Sequence, residues 1–358
     1  MKKKRQDISA VTNAILAGNL EEVKALYDTG CLLYKKGKLT QLRKNIPETI
    51  GGSGKSFTRC VDAFHFALSH GQMEIAEFFI DCGILDSDAL FSVIKYPELF
   101  LRMLERGIQP DKTESSITSL FLHLEDVWDE TWASIVRRMD LPLKEHGGPA
   151  LCYAAQGGHM ALAEFLLSSG VPVNCMNRSR NTPILCAVKN HQFRMVKYLT
   201  EQRADLTLTN NRGIRPYIAA RMNNCIQMAE YIRSHEPEEL HSEKAREQLF
   251  EAYHVPGEMW EYLKSENLKL EFPEEESLHW IRFFSYMDAP EISYHGKKGL
   301  SLVQDSEDFD FMLLWEPDSE KIWFLDMEHD VFHAVSTWPE FIQNAGRYVN
   351  RAVYQAFD

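Results

Sequence analysis

The feature that most constrains this chain is a spacing. Ala154, Ala187 and Ala220 stand 33 residues apart. The same shift carries Leu162 to Met195 to Met228, Phe165 to Tyr198 to Tyr231, and Leu166 to Leu199 to Ile232. Each period reads as a short small-residue helix, a break, and a second helix with apolar positions at helical spacing. A unit of that size cannot bury its own apolar face and must stack on a copy of itself. The period therefore predicts a solenoid of helix pairs.

The second half of the unit recurs near the N-terminus. The run Gly18-Asn-Leu-Glu-Glu-Val23-Lys-Ala-Leu26-Tyr-Asp-Thr-Gly30 matches Gly71–Gly83 and Gly158–Gly170 position by position. The first Gly of each run permits the turn between helices, and the second sits where a helix ends on positive φ. Thr182-Pro183-Ile184-Leu185-Cys186-Ala187 and Gly157-Gly158-His159 complete a recognisable pattern. These units resemble ankyrin repeats. Asn190-His191 and Asn223-Asn224 take the place of the Gly-His turn, and asparagine tolerates the same left-handed backbone. The resemblance implies an array of about seven units over residues 1–239, degenerate across 84–146, where Trp128 and Trp132 replace small residues. Residues 31–59 exceed the usual connection and predict a long loop.

Two segments invite a chemical reading and fail it. Gly51-Gly-Ser-Gly54-Lys55-Ser56 looks like the end of a phosphate-binding loop, but Thr49 stands where the first glycine belongs and no buried strand precedes it. Asp326-Met-Glu328-His329-Asp330-Val-Phe-His333 gathers carboxylates and imidazoles. On a strand, Asp326, Glu328 and Asp330 would share one face and His329 the other, which defeats convergence on a metal. No Ser-His-Asp or Cys-His set with a recognisable elbow is present, so no catalysis, cofactor or metal is expected. The seven cysteines include no C-x-x-C pair and read as reduced thiols, mostly small core residues, which suits a cytoplasmic chain. No apolar stretch is long enough to predict a membrane span.

Charge separates the chain into parts. Residues 1–59 hold 12 Lys/Arg against 5 Asp/Glu, residues 60–235 hold 17 against 20, and residues 236–358 hold 10 against 27. The last stretch is thus −17. It repels nucleic acid and anionic membranes and attracts basic proteins.

Beyond residue 240 the period ends. Glu243–His254 and Pro256–Glu266 read as helices. Strand-like aromatic segments follow at His279–Tyr286, Ile292–Tyr294, Leu300–Val303, Phe309–Trp315, Ile322–Asp326 and Val331–Val335. Glu316–Lys321 reads as a hairpin turn, and Trp338–Phe357 as a closing helix. The fold class is multidomain: an all-α repeat array followed by a small α+β domain at 240–358. The element order of that domain, with Met312–Trp315, Trp323–Asp326 and Ser336-Thr-Trp-Pro-Glu-Phe341, resembles the SUKH superfamily, although Ser265-Glu-Asn267-Leu replaces the usual Asn-Gly-Gly turn.

That resemblance implies an immunity protein, a stoichiometric inhibitor that masks the active site of a toxin domain, often a nuclease. The expected contacts are the carboxylates of Asp305, Glu307, Asp308, Asp310, Asp318, Glu328 and Asp330, with anchors among Trp315, Trp323 and Trp338. For any one tryptophan the competing reading is the core. The partner would be a basic protein, with no nucleic acid and no membrane. A second reading is an adaptor that binds a resident protein through repeat tips and first helices, at Asn177–Asn181, Asn210–Arg215 and 147–153.

Overall fold

A computed structural model describes residues 10–28, 60–83, 85–275, 278–307 and 311–355. The 31–59 loop, with its glycine-rich segment, lies outside the described residues. By contact density the chain divides into two compact units, Met1–Ala150 with Ala161–Val171, and Leu151–Met160 with Pro172–Asp358. The division does not fall at residue 239, where the repeat period stops. The last helix pairs share a unit with the sheets.

The first unit is built of helix pairs. Residues 10–16 precede Leu20–Asp28, and Cys60–Ser69 precedes Met73–Asp81. A 3₁₀ segment, Ser87–Val93, precedes Pro97–Glu105, and Glu114–Leu124 precedes Glu130–Arg138. Proline opens one of these helices at Pro97, where its missing N–H costs nothing. Asp129 caps another by accepting from the Trp132 N–H at 3.0 Å. The degenerate units hold because large rings fill the space that small residues leave elsewhere. Trp132, 2 % exposed, meets Phe100 edge-on at 5.0 Å, and Trp128 lies 4.8 Å from Phe165. Arg102 bridges Glu77 and Asp81 at 2.7 and 2.5 Å, joining neighbouring pairs, and this hydrogen bond holds the Asp81 carboxyl below its usual range despite partial burial.

The second unit opens with the regular repeats. Pro183–Lys189 pairs with Phe193–Glu201, and Pro216–Met222 with Ile226–Arg233. Thr182 caps its helix through Oγ1, and Ile184, Leu185, Val188, Met195, Val196 and Leu199 fill the interior. The turn residue with positive φ is Gly158 in one unit, then His191 (60°) and Asn224 (54°). The frame therefore differs by one residue from the one expected. Asn190 and Asn223 cap the first helices, and the strained position falls to His191 and Asn224. Gly148–Gly157 and Met160–Ser168 form a further helix pair among the described residues.

Among the described residues, eight antiparallel strands follow the helices Glu243–Ala252 and Gly257–Lys264. They are β1 (Lys269–Glu271), β2 (Trp280–Phe283), β3 (Glu291–Tyr294), β4 (Lys297–Ser301), β5 (Val303–Ser306), β6 (Met312–Glu316), β7 (Lys321–Asp326) and β8 (Val331–Ser336). One sheet has the order β1-β2-β5 and the other β3-β4-β6-β7-β8. The predicted strand segments are present with shifted ends: β3, β7 and β8 each run one residue longer than predicted, β2 is shorter, the run Leu300–Val303 is divided between β4 and β5, and β1 is an addition. The closing helix is two helices, Trp338–Gln343 and Ala345–Gln355, interrupted at Asn344. Thr337, not Ser336, starts the first, sharing the Glu340 carboxylate between its N–H and hydroxyl at 3.2 and 2.9 Å. Asn350 staples the second to the sheet, accepting from the Leu278 N–H and donating to the Leu278 carbonyl, both at 3.0 Å.

The main core lies between the inner faces of the strands and these helices, around Phe250, Met259, Phe283, Leu313, Phe324 and Phe341. Within the same unit, polar contacts tie the repeats, the following helices and the loops beside the sheets together. Arg215 reaches the fully buried Glu236 carboxylate at 3.3 Å, which also lies 2.9 Å from His241. Burial raises the Glu236 carboxyl above its ordinary range against the pull of Arg215, and burial lowers His241. Arg246 donates to the carbonyls of Tyr286 and Ala289, and burial brings its guanidinium down to about 10.

Candidate protein-binding surface

Strand alternation decides which of the expected contact residues reach the surface. All five residues of β6 are buried because both of its faces are covered. Trp315 faces the main core, 1 % exposed, and donates from Nε1 to the Tyr253 carbonyl at 2.8 Å. Trp338 is 3 % exposed and packs edge-on against Tyr262 and Phe283 at 5.5 and 5.8 Å. Neither can anchor a partner. Both serve the core, as the competing reading of the sequence allowed.

Trp323 points the other way. It sits half-buried on the outer face of the five-stranded sheet, over a small apolar cluster of Ile292, Met312, Leu314 and Leu325. β4 pairs with β6 only at Leu300 and Ser301, so the far end of the β3–β4 hairpin leaves the sheet and folds over this face. Lys297 lies 4.6 Å from the Trp323 ring centroid, and Tyr294 meets Phe332 edge-on at 5.4 Å. Phe332 in turn lies 4.8 Å from Trp323. The turn of the β6–β7 hairpin supports the indole, since Ser319 Oγ accepts from Trp323 Nε1 at 2.9 Å. Ser319 is held by Glu316, whose carboxyl is pushed up by burial but drawn lower overall by Ser319 and Lys297.

Carboxylates flank this aromatic group at both ends of β7. Asp318 is exposed in the β6–β7 turn, and Glu328 and Asp330 are exposed in the β7–β8 turn. Asp330 accepts from the Tyr294 hydroxyl at 2.6 Å and lies 3.1 Å from His295. Between the two predicted strands, residues 327–330 form a hairpin turn, so the strand facing considered for Asp326–His333 does not apply. Asp326 causes the reversal by accepting from the N–H groups of Glu328 and His329 at 2.9 and 3.1 Å. Burial alone would raise its carboxyl, but these bonds and the His329 ring at 2.7 Å lower it overall. The turn thus brings His329 onto Asp326, a proximity that strand alternation excludes. Among the described residues no group of three or more His, Cys, Asp or Glu side chains is arranged to hold a metal ion.

Asp305 and Glu307 belong to a different place, at the edge strand β5 and just beyond it. Asp305 is exposed and paired in register with Arg282. Glu307 accepts from the His279 N–H and lies 2.9 Å from its Nδ1, contacts that lower its carboxyl. Asp308 and Asp310 lie outside the described residues. The ten expected residues are therefore not one patch. Four surround the outer sheet face, two mark an edge, and two are core.

The repeat tips were the alternative contact set, and their asparagines are occupied internally. Asn177 Oδ1 accepts from the N–H groups of Ser179 and Asn181, and Asn210 Oδ1 accepts from those of Arg212 and Ile214. Asn210 Nδ2 also donates to Asn181 Oδ1 at 3.0 Å, tying one tip to the next. Asn177 and Asn210 are themselves 33 residues apart, so the repeat spacing already carried this signal. Arg178, Ser179, Arg180 and Tyr153 remain exposed. Cys152 and Cys186 are buried free thiols; hydrogen bonds with Cys175 and Cys186, then burial, push the Cys152 thiol up.

Residues 151–200 match the family model described as ankyrin repeats (many copies). An ankyrin array implies a protein partner. The described residues contain no helix long and apolar enough to cross a membrane.

Proposed function

We propose that this protein is a binding inhibitor of the immunity type, which neutralises a basic toxin domain, such as a nuclease, by covering its active site in a stoichiometric complex. The observation that carries the reading is the outer face of the five-stranded sheet, where Asp318, Glu328 and Asp330 flank the half-buried Trp323. A central aromatic side chain with charged residues around it is the usual composition of a binding hot spot. The −17 charge of residues 236–358 supports it, because such a field speeds encounter with a cationic partner by about tenfold or more at low salt. The sequence resemblance of residues 240–358 to the SUKH superfamily points the same way. On this reading the chain works by contact alone, within the cytoplasm, and uses no cofactor.

The test is co-expression with the toxin domain encoded beside it. The wild-type chain should restore growth and co-purify in a one-to-one complex, with an association rate that falls as salt rises. The combined Asp318→Lys, Glu328→Lys and Asp330→Lys variant should keep its unfolding midpoint and lose rescue. Rescue undiminished by that triple reversal would refute the assignment of this face.

A further inference from the structure

We propose a second binding site in the C-terminal compact unit, of opposite charge to the first, which takes an acidic polypeptide segment bearing one aromatic side chain. It goes beyond the inhibitory reading and does not rest on it. Where the last repeats meet the sheets there is a cavity of about 150 Å³. Its apolar walls are Ile214, Ala219 and Met222 from the repeats, Phe284 just after β2 and Val303 of β5, with the buried Ser301 among them. A cavity of that size has room for a benzene-sized group. It is too small for a whole drug-sized ligand but suits a single side chain.

The rim is basic. Lys189 and Arg212 both line the opening. Lys189 is exposed at the end of its helix, and no ion pair holds it among the described residues. Asn223 donates to the Val188 and Lys189 carbonyls, Asn210 bonds Asn181, and Arg212 also has a partner within the protein, which leaves Lys189 as the cation on which the site turns. The Asn211 N–H donates to the Ser179 carbonyl at 3.3 Å, which sets the tip carrying the exposed Arg178 and Arg180 beside the tip carrying Arg212. In a chain of net charge −13, residues 172–235 hold ten Lys/Arg against three Asp/Glu. A row of cations beside an apolar hole fits carboxylates spaced along a peptide with one ring between them. A nucleic-acid backbone fits less well, because Asp288, 3.7 Å from Arg221, and the exposed Glu291 interrupt the cationic surface.

Fluorescence anisotropy on the full chain tests this, using a labelled oligoglutamate peptide with one central phenylalanine, the same peptide with glycine there, and oligothymidylate. The phenylalanine peptide should bind saturably and at least about tenfold tighter than the glycine peptide. Lys189→Glu, on an exposed side chain, should weaken it by about tenfold or more. Ala219→Leu, which fills the cavity, should abolish the preference for phenylalanine; if that variant fails to fold, Lys189→Glu decides alone. The proposal is overturned by absence of saturable binding, by equal affinity for the two peptides, by insensitivity to Lys189→Glu, or by oligothymidylate binding as tightly as the phenylalanine peptide.

Discussion

The contact between the last repeat tip and the sheet can be weighed at one glycine. Gly213 has φ of 71° and sits where a Cβ would lie 2.5 Å from the Glu291 carbonyl oxygen and 3.1 Å from Pro290 Cβ. Gly296, at the β3–β4 turn of the same unit, has φ of 79° and open space around it. Gly296→Ala therefore exposes the conformational term alone: about 1–2 kcal/mol for left-handed backbone, less about 0.4–1 kcal/mol recovered from the stiffer unfolded chain. Gly213→Ala carries the same terms plus an overpacking cost of about 1–3 kcal/mol, because backbone cannot swing aside as a side-chain end can. Gly296→Ala should lower stability by roughly 1 kcal/mol and Gly213→Ala by roughly 2–4 kcal/mol. Urea titration followed by circular dichroism gives both values, and amide exchange near Glu291 should quicken only in Gly213→Ala. Equal losses at the two sites would show that the tip does not press on β3.

Three further outcomes follow from contacts described above. Asn210→Ala removes the acceptor for the buried Ile214 N–H and should cost about 2–4 kcal/mol, read as a lower urea midpoint with faster Ile214 exchange. Trp338→Ala should cost about 3–5 kcal/mol in the same titration, whereas Trp323→Ala should cost less and act mainly on partner affinity. Asp326 has a depressed folded-state carboxyl, so its contribution is present above the ordinary value of 3.8 and fades as pH falls through the lower folded value. Asp326→Asn should flatten that part of the acid-unfolding curve.

The repeats were legible because their interior positions recur at a fixed interval, and burial at Leu166, Leu199 and Ile232 follows from it directly. The turn frame slipped by one residue because asparagine suits both a helix end and a left-handed turn. Only the backbone distinguishes Asn190, which caps, from His191, which turns. In the sheet region the strand segments were legible, but facing was not. Alternation marks a buried side only when the opposite side meets water, and β6 has both sides covered, which hid the fate of Trp315. Three-residue β1 is too short to show any period. The reversal after Asp326 depends on one carboxylate catching two backbone N–H groups, which a facing argument cannot anticipate. The closing helix kept its apolar spacing across Asn344, so the interruption left no trace in the pattern.

The way Gly213 and Arg215 engage the segments beyond them bears on how such an array can change length. Repeat families commonly grow by tandem duplication of one unit, which needs both flanking faces to be interchangeable. Here the final tip is shaped to one particular strand and one particular buried acid. A copy inserted after it would meet neither, so duplication at this end is sterically closed. Expansion or loss of units is open only upstream, where each helix pair meets another of its own kind.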